Sequence, residues 1–261
     1  MVRLISGLLL AVISFYCIFT SSILVTALVL FLSLIALHEF YELARKKNFI
    51  PSKSTGMFAA VILILIVYKN RLDLMSLFVS MFALVTLVVF LFRKEFHVSP
   101  LLDAGLTVLG VLYIPLLFSY AILIRNLPQG EWLLTIVIFA TAMYDTSAYY
   151  FGRLMGRHPL WFNVSPGKTV EGTLGGTIMS VASVIVIGHW LGKPVIPLLI
   201  LGLIIAIMAQ LGDLCESLFK RDVGVKDAGQ ILAGHGGMLD RCDSLFFTCP
   251  AAYLFYIFAI L

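Results

Sequence analysis

The hydrophobic positions of this chain come in long unbroken runs, with polar residues gathered between them. Neither the 3.6-residue stripe of a surface helix nor the alternation of a half-buried strand dominates. The first run, Leu4 to Leu37, is too long for one membrane crossing, which takes about 20 apolar residues, so it should fold back at Thr20-Ser21-Ser22. Further runs cover Met57–Tyr68, Leu74–Phe92, Leu101–Ile124, Trp132–Phe151, Thr173–Trp190, Val195–Phe219 and Ser244–Leu261. Lipid offers no partner to a bare peptide group, so each run should be helical. The expected fold is all-α, a polytopic membrane protein with about nine transmembrane helices.

Charge placement supports that count. With nine crossings, fourteen of the eighteen lysines and arginines fall on one side, and Lys69, Arg71, Arg125 and Lys193 on the other. Without a crossing at Met57–Tyr68 the split is nine to nine. Basic residues mark cytoplasmic loops, which places the N-terminus and the long polar loops in the cytoplasm. The segment after Arg3 has no cleavage-like site before the next run, so it reads as a membrane helix and not as a leader.

Composition agrees: 61% of residues are hydrophobic and 12% charged, about half the charge of a soluble domain. The net charge of +4 is scattered and forms no basic stripe with aromatics, which excludes a nucleic-acid surface. Cys17, Cys215, Cys242 and Cys249 lack metal or dithiol spacing and read as packing residues. With no repeat or linker, residues 1–261 read as one membrane domain: scaffold helices in 1–125, catalytic helices and cytoplasmic loops in 126–261.

Chemistry concentrates in that second part. Asp145 sits in an apolar stretch eight residues before Arg153, about 12 Å below the end of its helix. A carboxylate there needs a partner and marks a functional site. Asp213, Glu216 and Ser217 share one helical face close to Lys220-Arg221, and Asp240 and Asp243 open the last helix at i, i+3. All five carboxylates should lie at similar depth on the cytoplasmic side. Asp213 and Asp240 are expected as principal metal ligands, with Glu216 and Asp243 beside them; hard carboxylate oxygens suit Mg²⁺. A structural pairing with the nearby basic side chains is the alternative. Ser165-Pro166-Gly167-Lys168-Thr169-Val170-Glu171-Gly172 brings a lysine and hydroxyls to a helix start, a weak anion-site pattern. Lys226-Asp227-Ala228-Gly229 and Gly234-His235-Gly236-Gly237 offer a second flexible, basic loop. The run His38-Glu39-Phe40-Tyr41-Glu42 begins like a zinc-protease helix but lacks its second histidine, and Gly172 to Gly176 reads as close helix packing.

These residues resemble the phosphatidate cytidylyltransferase (CDP-diacylglycerol synthase) family. Its signature is matched by Ser217-Leu218-Phe219-Lys220-Arg221, Lys226-Asp227 and His235-Gly236-Gly237-Met238-Leu239-Asp240-Arg241-Cys242-Asp243, with family-like blocks at Asp145–Tyr149 and Ser165–Thr169. Ala233 and Cys242 depart from its usual residues. The resemblance implies CTP and phosphatidic acid as substrates at the bilayer, Mg²⁺ or more than one divalent ion as cofactor, and a bacterial inner membrane as location; a homo-oligomer stays open. It implies catalytic roles for Asp213, Lys226, Asp227, His235, Asp240, Arg241 and Asp243. Substrate binding would fall to Asp145, Arg153, Ser165, Lys168, Thr169, Glu171, Ser217, Lys220, Arg221, Gly236 and Gly237. An ion-coupled transporter and a CTP-dependent polyprenol kinase are the rival readings.

Overall fold

The structure, a computed structural model, describes residues 2–93, 99–161, 165–225, 228–229 and 237–260. Helices fall on the apolar runs: α1 (Val2–Thr20), α2 (Ser22–Lys46), α3 (Lys53–Tyr68), α4 (Met75–Leu91), α5 (Pro100–Val111), α6 (Leu117–Arg125), α7 (Gly130–Met155), α8 (Val170–Trp190), α9 (Val195–Asp222) and α10 (Leu239–Phe255). A π-helical turn at Leu112–Leu116, around Pro115, joins α5 to α6 without breaking the rod. The fold-back falls at Ser21, whose hydroxyl caps α2 by accepting the Leu24 N–H at 3.4 Å.

Among the described residues, six helical segments are long and apolar enough to cross a bilayer: Ser22–Lys46, Leu72–Leu91, Pro100–Arg125, Val170–Trp190, Val195–Asp222 and Leu239–Ala259. α3, with 16 residues, is shorter than that measure. The outer faces of the six confirm the solvent. α4 buries Phe82, Thr86 and Phe90 while Leu77, Leu84, Val88 and Leu91 face outward, an apolar surface that belongs in lipid.

The chain divides into two compact units, Met1–Leu123 with Val223–Arg241, and Ile124–Asp222 with Cys242–Leu261. In the first, Tyr41 of α2 fits against Gly56 of α3 and Gly110 of α5, where any Cβ would overlap its ring, and its hydroxyl donates to the Thr107 carbonyl at 2.8 Å. Asp103, 3% exposed, accepts the Ile50 N–H at 2.7 Å and so ties the α2–α3 connection to α5. Ionisable residues of the N-terminal helices are thus not confined to loops.

In the second unit, α7 and α8 approach through glycines: a Cβ on Gly172 would lie 2.6 Å from the Ala148 carbonyl, and one on Gly176 2.9 Å from that of Tyr144. The glycine run serves packing, as its spacing suggests. One element departs from the all-helical expectation. The segment read as a polar loop contains an antiparallel hairpin, β1 (Pro159–Trp161) with β2 (Ser165–Thr169). Strands this short carry too few positions for alternation to show in the sequence.

Candidate active site

The chemistry of the second unit is set by how closely α9 and α10 meet. Gly212 has no side chain, and a Cβ there would lie 2.6 Å from the Asp243 carbonyl. That contact brings the next residue of α9, Asp213, beside Asp243. Asp213, Glu216 and Asp243 each offer a carboxylate oxygen, all within 4.8 Å of one another. Glu216 is fully buried and Asp243 is 7% exposed. Two unit charges at such separations repel by about 3 kcal/mol even at an effective dielectric of about 20, so the cluster demands cations.

Two ammonium groups supply part of the demand. Lys168, at the end of β2, places Nζ 2.6 Å from Asp213 Oδ2, and Lys220 pairs with Glu216 one turn along α9. Asp145 of α7 interacts with Asp213, Asp243 and Lys168, and its side chain bonds with that of Ser244. Among the described residues, four carboxylates therefore gather around two lysines. An all-oxygen, carboxylate-rich donor set of this kind fits a hard divalent cation. Asp213, Glu216 and Asp243 are the residues that would hold it.

A second constellation lies in the first unit, where backbone amides of Ala228, Gly237, Met238 and Leu239 meet two carboxylates. Asp240 Oδ2 accepts the N–H groups of Ala228 at 3.0 Å and Gly237 at 2.9 Å. Glu39 of α2, 2% exposed, accepts the Leu239 N–H through Oε2 at 2.8 Å, and the Met238 N–H bonds to the same carboxylate.

Known proteins carry the same arrangement of sequence. The family model described as "Cytidylyltransferase family" matches residues 1–259. The chain belongs to the cytidylyltransferase family. Among its relatives, a protein of Staphylococcus haemolyticus named phosphatidate cytidylyltransferase is 38% identical over 86% of this chain and 88% of its own length. The protein of that name from Bacillus subtilis is 31% identical over 99% and 97% of the two chains, and that from Staphylococcus saprophyticus 40% over 70% and 69%.

This member of the family brings together Asp145, Lys168, Asp213, Glu216, Lys220 and Asp243, and adds Ser217, whose hydroxyl donates to Asp213 Oδ1 at 3.4 Å. Asp240, expected with Asp213 as a principal metal ligand, accepts the backbone amides of Ala228 and Gly237. Thr169 caps α8 by accepting the Gly172 N–H, so that donor of the expected anion site is already engaged. Glu171 accepts the N–H groups of Arg157 and His158 and pairs with the His158 ring, fastening the α7–β1 turn. Ser165 opens β2; Arg153 contacts the Tyr149 hydroxyl, and Arg221 and Arg241 are exposed. Lys226, Asp227, His235 and Gly236 lie outside the described residues. Cys17, Cys242 and Cys249 are buried and every cysteine is a free thiol, as expected of packing residues. Glu39 is the residue the sequence reading missed. Its one signal was a carboxylate close to the end of the long apolar run of α2, which the superficial likeness to a zinc motif obscured.

Proposed function

We propose that this protein transfers the cytidylyl group of CTP to phosphatidic acid, forming CDP-diacylglycerol and pyrophosphate in the membrane. The observation that carries the reading is the cluster of Asp213, Glu216 and Asp243 on the apolar helices α9 and α10, bracketed by Lys168 of β2 and Lys220 of α9. The phosphate of phosphatidic acid is a nucleophile at neutral pH, so no strong base is required. Its oxygen bonds to the α-phosphorus of CTP as the bond from that phosphorus to the bridging oxygen of the leaving pyrophosphate breaks. A divalent cation, Mg²⁺ by the chemistry of the donor set, neutralises charge on the α-phosphate and the leaving group when bound. Lys168 and Lys220 trade carboxylate partners for phosphate oxygens as the substrates enter, which orients two polyanions in line. Asp145, exposed on α7 beside Lys168, holds that lysine toward the site. By the family resemblance, Lys226 and Arg241 of the signature are assigned to phosphate binding and Asp227 and His235 to catalysis, while Asp240 accepts the amides of Ala228 and Gly237.

Purified protein in mixed micelles should convert CTP and phosphatidic acid to CDP-diacylglycerol with Mg²⁺, lose all turnover in EDTA and regain it on Mg²⁺ addition. Turnover that ignores EDTA, or no CDP-diacylglycerol under any metal, would sink the reading.

The same proposal sets the site in the cytoplasmic leaflet of a bacterial inner membrane, with nine crossings, the N-terminus inside and the C-terminus outside. A single cysteine introduced at Gly167 should resist an impermeant thiol reagent in intact cells and react once the cells are opened. Reaction from outside would invert the orientation.

A further inference from the structure

Glu39 plays no part in the reaction as described, yet it occupies an expensive position. It is 2% exposed, on α2, 200 residues before the amide it binds. Burying a carboxylate costs several kcal/mol unless its oxygens are well bonded, and an apolar side chain would fill the space with less penalty. What its carboxylate meets is backbone: the N–H groups of Leu239 and Met238. Two glycines of the signature segment are fitted to it. A Cβ on Gly237 would lie 2.7 Å from Glu39 Oε2, 2.8 Å from the Gly229 nitrogen and 3.0 Å from Asp240 Oδ2. A Cβ on Gly229 would overlap the Glu39 carboxylate itself. The amides of Ala228 and Gly237 meanwhile turn to Asp240. The N–H groups of this turn thus converge on two protein carboxylates, one of its own and one from the N-terminal half.

We infer that Glu39 is a positioning residue: it holds Ala228–Gly229 and Gly237–Asp240, the described parts of the signature segment, in one conformation. The inference rests on the cytidylyltransferase reading for its effect on turnover. Its effect on the turn stands apart from that reading.

The test combines hydrogen–deuterium exchange with kinetics on the full-length protein in detergent, comparing wild type, Glu39→Ala, Glu39→Gln and the control Asp103→Asn. Asp103 is a buried carboxylate of the same unit that bonds the Ile50 N–H. Glu39→Ala should raise exchange in the peptide covering 228–240 and lower kcat/KM about a hundredfold, the scale expected when catalytic groups are misplaced by about 1 Å. Glu39→Gln keeps an acceptor oxygen and should fall between, at about tenfold. Asp103→Asn should lower the melting temperature without changing exchange in the turn. Unchanged exchange in both Glu39 variants overturns the inference, as does raised exchange with kcat/KM within about twofold of wild type. If Glu39→Ala does not fold, Glu39→Gln decides on the same two readouts. A wild type inactive on CTP and phosphatidic acid would remove the proposed reaction and leave exchange to decide the role of Glu39 in the turn.

Discussion

Asp243→Asn is expected to abolish turnover while raising stability in metal-free buffer. Asn is nearly the same size, and its Oδ1 can still accept the Ser244 N–H that Asp243 accepts at 2.7 Å, so the local backbone should hold. What disappears is one buried negative charge among three carboxylates within 4.8 Å. In EDTA that relieves repulsion, and the melting temperature should rise by about 2–4 °C, as a gain of about 1 kcal/mol predicts for a chain of this size. With substrates and Mg²⁺ the same change removes an oxygen of the donor set, at a cost of about a thousandfold in kcat, or ~4 kcal/mol. The opposed signs separate a functional site from a structural pairing, which would lose stability together with activity. Near-normal activity with unchanged metal dependence would take Asp243 out of the site.

Lys168→Met is expected to lower kcat/KM about a hundredfold, or ~3 kcal/mol, because this ammonium group meets charge that develops in a partly dry site. Its Nζ stands 2.6 Å from Asp213 Oδ2 at the end of β2, where the hairpin holds it against the acidic cluster. Met keeps much of the apolar stem and deletes only the cation. Lys46→Met and Lys47→Met are the controls: both lysines are exposed at the end of α2, and a surface-anchoring lysine contributes about 1 kcal/mol. Similar small losses in all three variants would leave Lys168 as one more headgroup anchor.

The parts of the structure that were legible in the sequence are those carried by one residue type in one segment. Apolar runs locate the helices because lipid forces backbone bonds to close within each segment. Asp145, Asp213, Glu216 and Asp243 stood out because a carboxylate in an apolar run has few inexpensive explanations. Telling Asp240 from Asp243 was beyond sequence: at i, i+3 on one helix start they look equivalent. One accepts backbone amides of the glycine turn and the other joins the acidic cluster, and that choice is made by which segments fold against them. Glu39 was illegible for a related reason. Its partners are main-chain N–H groups, which every residue but proline carries and which leave no mark in the sequence. The hairpin β1–β2 was hidden by its brevity, although Lys168, its most informative residue, was assigned to the site from the loop pattern at a helix start and the family resemblance.

The most direct measurement is a Mn²⁺ titration of the detergent-solubilised protein, followed by electron paramagnetic resonance with and without CTP. Wild type should bind Mn²⁺ that Mg²⁺ displaces. Asp243→Asn and Glu216→Gln should lose that binding, and Glu39→Gln, altered only in the glycine turn, should retain it. Mn²⁺ bound equally well by wild type, Asp243→Asn and Glu216→Gln would contradict a catalytic cation held by these carboxylates.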